Sequence, residues 1–180
     1  MRIATLVVLA LMATVVAVSA QTPFIAVYFD EGLSQESKDC PGFVVDTWYV
    51  AALNFNTFLS GAEFQIQYPP AVMYVADLNL PPVVVGNTAA GISMGFALPV
   101  NGFSPITLCA VQVLWLCEAC DGPFIDNVVK VVKHPFTNFL GVTDFPGYNE
   151  IPAVGLTAYI CATVPVEETS WGQVKALYGE

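Results

Sequence analysis

Gly91-Ile92-Ser93-Met94-Gly95 has the G-x-S-x-G form of a nucleophile elbow, and Asp126 and His134 follow it in the order of a hydrolase triad. His134 is the only histidine, so any Ser-His or other acid–base machinery in this chain has to use it. An elbow needs a sharp strand-to-helix turn that holds the serine strained and exposed. Phe96-Ala97-Leu98-Pro99 follows instead, an extended and proline-stopped run. Two glycines around a serine on a β-strand account for the pattern better, and no enzyme activity is expected. His134 precedes Pro135 at the end of an apolar run, which reads as an exposed turn residue.

Cysteine is the next reactive type. Cys40, Cys109, Cys117, Cys120 and Cys161 are the five present. Cys117-x-x-Cys120 could be a redox pair or half a zinc site, but no second cysteine or histidine pair accompanies it. Disulfides are the preferred reading. Cys109 and Cys117 lie eight residues apart on one apparent strand, roughly 26 Å at strand rise, so they cannot bond unless the strand breaks. A short bridge between Cys117 and Cys120 is expected, with Cys40–Cys161 as the second. Cys109 is left as a buried thiol. Asp121, Asp126 and Asn127 share one loop and make calcium the alternative to no cofactor at all. Their spacing is not that of an EF-hand, and a solvated turn is favoured. Trp115 is in register with core positions, whereas Trp48 is the candidate for an exposed sugar-stacking or ligand-binding ring.

The elements that would position these residues begin after a leader. Arg2, the apolar run Ile3 to Val18 and the small residues Val18-Ser19-Ala20 form a secretory signal peptide over residues 1–20, with Gln21 as the mature N-terminus. The run is shorter than the roughly 20 residues that span a bilayer. The remaining 160 residues (180 − 20) suffice for one domain, read here as residues 21–164. Four lysines then face fifteen acidic residues, 4 − 15 = −11, and such a surface repels nucleic acid and anionic lipid.

Gly61 to Tyr68 alternates apolar and polar residues, Pro69-Pro70 stops the run, and Val72 to Ala76 resumes it. This predicts a half-buried strand, a proline corner and an antiparallel partner strand. Phe24 to Phe29, Phe43 to Leu53, Val83 to Val85, Ile92 to Leu98, Ile106 to Cys117, Asn127 to Lys133 and Ala153 to Ala162 read as further strands. Lys130 and Lys133 mark Asn127 to Lys133 as an edge. About eight or nine short strands with no central helix predict an all-β antiparallel sandwich of the jelly-roll type. Residues 165–180 then switch period. Ser170-Trp-Gly-Gln173 is a capping box, and Trp171, Val174, Leu177 and Tyr178 fall on one face of a short amphipathic helix that either packs on the sandwich or docks on a partner.

The corner Tyr68-Pro69-Pro70-Ala71-Val72, with the glycine-rich and apolar strands between Gly86 and Cys117, resembles cohesin-type modules. That resemblance spans residues 24 to 163 and implies a sandwich related to carbohydrate-binding modules, many of whose members bind dockerins. Pro69 stands where the family usually has aspartate, so no binding residue carries over. The two ends, Ile25-Ala-Val-Tyr-Phe-Asp30 and Glu168-Thr-Ser-Trp-Gly-Gln-Val-Lys-Ala-Leu-Tyr178, resemble those of small exported bacterial proteins. The expectation is a secreted or cell-surface bacterial protein, a non-catalytic binding or assembly module for a protein or glycan partner. The alternative is a structural surface protein whose C-terminal helix is a docking or sorting tag.

Overall fold

Short apolar runs bounded by proline, glycine and asparagine turns become strands, and here they become strands throughout. The computed structural model describes residues 22–120 and 127–161, which hold thirteen strands and no helix. In chain order these are β1 (Phe24–Tyr28), β2 (Ser37–Lys38), β3 (Val45–Leu53), β4 (Phe58–Gln67), β5 (Val72–Leu78), β6 (Val83–Asn87) and β7 (Gly91–Asn101). There follow β8 (Ile106–Trp115), β9 (Asn127–Val132), β10 (Gly141–Phe145), β11 (Glu150–Pro152), β12 (Val154–Gly155) and β13 (Thr157–Ile160). The excess over nine is β10 together with β2, β11 and β12, pieces of two or three residues that periodicity cannot register. The leader and the C-terminal helix lie outside the described residues.

One sheet runs β12-β1-β3-β8-β5. The other runs β11-β10-β4-β9-β13-β2, with β7 and then β6 added on the free edge of β4. The two pack face to face, so this is a β-sandwich. β4 and β5 were expected to pair, and they do not: β4 belongs to the second sheet and β5 pairs β8 in the first. Pro69-Pro70 withholds two donors, and Val72 N bonds back to Pro69 O at 3.1 Å, turning the chain across the core. A corner between sheets leaves the same alternation as a hairpin, because both strands still bury every second residue. β9 is not an edge either. It lies between β4 and β13, with Lys130 opposite Gln67 and Thr157. Its lysine only marks the outward face.

The expected exposure of Trp48 on β3 is corrected by the structure. Trp48, Val50 and Ala52 point between the sheets, and Trp48 is 0% exposed. It is therefore no stacking platform for a ligand. Tyr49, Ala51 and Leu53 face outward, where Ala51 joins Ala26 and Tyr28 in a small cluster capped by Leu33 and Leu156. Apolar residues on both faces of one strand hide which is the core side. Trp48 meets Trp115 edge-on at 5.7 Å, Phe29 at 5.0 Å, and stacks on Tyr68 at 6.2 Å.

Indole N–H groups buried this deeply need acceptors. Asp46 Oδ2 supplies one for both, accepting from Trp48 Nε1 at 3.2 Å and Trp115 Nε1 at 3.1 Å. Lys38 Nζ donates to the same oxygen at 2.7 Å, and Thr47 N donates to Oδ1 at 2.9 Å. Burial works against the charge of Asp46, but these donors and the lysine outweigh it and hold the carboxyl below its ordinary value.

Two disulfides close the same end of the sandwich. Cys40 bonds Cys117, and Cys120 bonds Cys161, with Cα separations of 6.0 and 5.0 Å. The expected pairs Cys117–Cys120 and Cys40–Cys161 do not form. Parallel pairing of β2 with β13 brings Cys40 and Cys161 side by side, and Cys161 N bonds Lys38 O at 3.1 Å. The segment from Cys117 to Cys120 then passes both of them. Cys117 turns into the core while Cys120 stays outside, so each takes a different partner. Cys109 is the free, buried thiol.

Unfolding and peptide mapping check this frame. Replacing Asp46 by Asn should cost about 1–3 kcal/mol in urea unfolding, the range for weakening hydrogen bonds to a charged group, discounted because the carboxylate is partly exposed. Because folding lowers the Asp46 pKa from 3.8, its contribution is complete above that value and is lost as pH falls through the lowered one. The stability curves of wild type and Asp46→Asn should therefore converge in acid. Peptide mapping should recover Cys40–Cys117 and Cys120–Cys161, with Cys109 alkylated only after unfolding. Closing loops of 77 and 41 residues stabilises the fold by about 4 kcal/mol each in the chain-entropy account, so reduction should lower the melting temperature sharply.

Candidate functional site

The outer face of the second sheet carries a row of paired residues in which the two middle positions are glycine. Val83 of β6 pairs Gly95 of β7, Gly95 pairs Gly61 of β4, and Gly61 pairs Thr143 of β10. Side chains therefore stand only at the ends of the row. A trough of about 380 Å³ runs over the bare backbone between them, lined by Ser60, Phe96, Ala97, Pro99, Thr143, Phe145 and Tyr148 as well as the glycines. The two glycines have different reasons to be there. A Cβ on Gly61 would sit 2.7 Å from the Met94 carbonyl oxygen, which the sheet cannot accommodate. A Cβ on Gly95 would meet Val83 Cβ at 3.4 Å, an ordinary contact. Gly61 is required by the sheet, whereas Gly95 leaves open space.

Aromatic side chains close one end of the trough. Phe58 and Phe145 are register partners on β4 and β10. Phe103 meets Phe58 edge-on at 5.8 Å, and Tyr148 meets Phe145 edge-on at 5.9 Å. Tyr148 is 66% exposed, held out by a turn in which Asp144 Oδ1 accepts from Asn149 N at 2.6 Å. Ser60 Oγ donates to the carbonyls of Thr143 and Asp144, fixing β4 to β10 where the register shifts. Apolar side chains left in water around a concave floor mark a surface built for contact. None of these aromatics was singled out from the sequence. Phe58, Phe103 and Tyr148 sit at strand ends or in turns, where alternation carries no information.

The hydrolase residues come near one another without forming its machinery. Ser93 pairs Glu63 across the β4–β7 ladder, and His134 Nδ1 lies 3.7 Å from Glu63 Oε1. Nδ1 already accepts from Phe136 N at 3.3 Å, and Thr137 Oγ1 donates to Glu63. No hydrogen bond joins Ser93 to His134 among the described residues, and Gly91 to Gly95 lies in extended β7 rather than in an elbow. His134 is not an exposed turn residue. It is buried against Gly91, where a Cβ would stand 2.7 Å from its Cδ2. That glycine makes room for the imidazole, which a linear reading of G-x-S-x-G does not reveal.

Other candidates disperse. Cys117 and Cys120 are each engaged in a separate disulfide, so neither thiolate is available to a metal or a redox partner. Asp121 and Asp126 lie outside the described residues. Asn127 opens β9 beside a hollow of about 290 Å³ bordered by Gln67, Tyr68, Pro69, Pro70, Val128 and Lys130. Among the described residues no three His, Cys, Asp or Glu side chains gather as metal ligands. Trp171, Val174, Leu177 and Tyr178 also lie outside them. Asp77 is a structural acceptor, taking Thr88 N at 2.9 Å and Thr88 Oγ1 at 2.6 Å, while Tyr68 donates its hydroxyl to Thr88 at 2.8 Å. Burial, and then the charge of Asp77, pushes the Tyr74 hydroxyl up to about 12 and the Cys109 thiol well above its ordinary range.

No protein-family model and no curated protein matches the chain. Solved structures do. The third ScaB cohesin of R. flavefaciens, determined in complex with a group 1 dockerin, aligns at a TM-score of 0.52 and 10% identity, covering 81% of this chain and 99% of that one. CaCohA2 of Clostridium acetobutylicum, determined in complex with a CaDoc0917 variant, aligns at 0.51 and 14% identity, covering 79% and 100%. Identities this low establish architecture only. The chain has a cohesin-like β-sandwich fold.

Proposed function

We propose that this chain is a non-catalytic binding module that receives a protein partner on the outer face of β6, β7, β4 and β10. The observation that carries this reading is the glycine-floored trough lined by the exposed Phe145 and Tyr148, with the exposed Phe58 and Phe103 next to Phe145. A concave backbone floor beside exposed aromatic side chains offers both hydrogen-bonding groups and the aromatic anchors that interface hot spots favour. The two cohesin-fold structures, each solved with a bound partner, are consistent with a protein occupant. A glycan fits less well. Sugar rings stack on flat aromatic faces, whereas these rings meet edge-on, at 78° and 87°, and Trp48 is inside the core. Two disulfides support an oxidising, extracytoplasmic setting.

Gly95→Leu is the variant that tests the site, since a side chain there enters the trough without striking backbone. The immobilised full chain should retain a protein from the extracellular fraction in stoichiometric complex. Gly95→Leu and Tyr148→Ala, with unchanged melting temperatures, should bind that protein at least tenfold more weakly, a loss of about 1.4 kcal/mol. Equal binding by all three forms, or retention of glycans alone, would overturn the assignment.

The Ser170 to Tyr178 pattern supports a separate element of the same proposal, a terminal docking or sorting tag presenting Trp171, Val174, Leu177 and Tyr178. Removing residues 170–180 should abolish surface retention and leave the melting temperature of the sandwich unchanged. Unaltered localisation would remove that role.

A further inference from the structure

Sheet edges present unpaired N–H and C=O groups, and folded proteins usually block them with charge, proline, bulges or brevity. Most edges of this sandwich are blocked in one of these ways. β11 contains Glu150 and Pro152, β2 is two residues long and includes Lys38, and β12 is also two residues long. β5 is bulged between Tyr74 and Ala76. β6 has none of these devices. Its five residues, Val-Val-Val-Gly-Asn, pair in regular register with β7 and with no other strand among the described residues. Val83 and Val85 are 62% and 71% exposed on the outer face.

Charge indicates what such an edge accepts. The chain carries a net charge of −10, yet no Asp, Glu, Lys or Arg occurs between Asp77 and Glu118. A partner recognised through opposite charge finds nothing to pair with along β6. A second copy of the same edge finds no like charge opposing it, although the rest of both molecules is acidic. Full antiparallel overlap of β6 with itself sets Val85 against Val85 of the second copy, and β-branched cross-strand pairs are favourable. It also satisfies the outward backbone groups of both copies at once, through an isologous contact that closes on itself.

We propose that β6 is a homodimer edge, pairing antiparallel with β6 of a second copy so that the two larger sheets become one continuous sheet. This goes beyond the trough assignment and does not depend on it. The competing apolar surface is the outer side of the smaller sheet, where Val45, Leu114 and Met73 line up across β3, β8 and β5.

The test is sedimentation equilibrium of the full chain against protein and salt concentration. Wild type should reach a dimer, and the dimer should tighten as salt screens the acidic surfaces from each other. Val85→Lys, a lysine of the kind natural edges use, should weaken the dimer at least tenfold, whereas Met73→Lys should leave it intact. Hydrogen exchange gives a second readout independent of any variant: the alternate amides between Val83 and Asn87 that do not donate to β7 should gain protection as protein concentration rises. A monomer under all conditions, a dimer loosened by salt, or one broken by Met73→Lys and not by Val85→Lys overturns the proposal.

Discussion

One partly buried carboxylate oxygen serves three donors at one end of this sandwich. Asp46 Oδ2 takes the Lys38 ammonium and both buried indoles, so the two largest side chains of the core depend on a single acceptor. The indoles bring hydrophobic area inside, but each brings an N–H that would be expensive to bury unpaired. Lys38 belongs to β2 at the edge of the larger sheet, whereas Asp46 and Trp48 belong to β3, and Trp115 to β8, in the smaller one. The shared oxygen therefore ties the two sheets as well as satisfying the core. The disulfides lie at the same end, just beyond β2 and β8.

That anchoring separates stability from contact. Both tryptophans, the charge that satisfies them and the covalent ties belong to the core or one end of the sandwich. The trough lies on the outer face of the larger sheet, over Gly61 and Gly95, where the glycines lack side chains and the pairing of β4 with both β7 and β10 shifts register. Its floor comes from glycine at one register position on two adjacent strands, and its wall from the irregular stretch Phe96 to Pro99 of β7.

Fold class, most strand positions and the core role of Trp115 were legible because alternation records which residues are buried. Alternation is silent about what a strand pairs with. It could not distinguish a hairpin at Pro69-Pro70 from a corner between sheets, nor an interior β9 from an edge, since outward lysines look alike in both. It also failed at β3, where apolar residues on both faces concealed the inward side of Trp48. The cohesin-like architecture was visible in the Tyr68 to Val72 corner, and the structural neighbours agree with it. The trough was out of reach for a different reason. Gly61, Gly95 and Phe145 lie far apart in the chain and meet only through β4, whose register nothing local specifies.

Cys109 has a consequence for how the molecule is made. Its thiol belongs to the core between the sheets, inaccessible once the two sheets pack over it, and burial keeps it protonated and slow to exchange. Before that docking, five thiols of similar reactivity share the chain, and the odd one can capture any of the other four. Correct oxidation therefore depends on noncovalent order arriving first: the sheet must sequester one sulfur so that the remaining four have only each other to choose from.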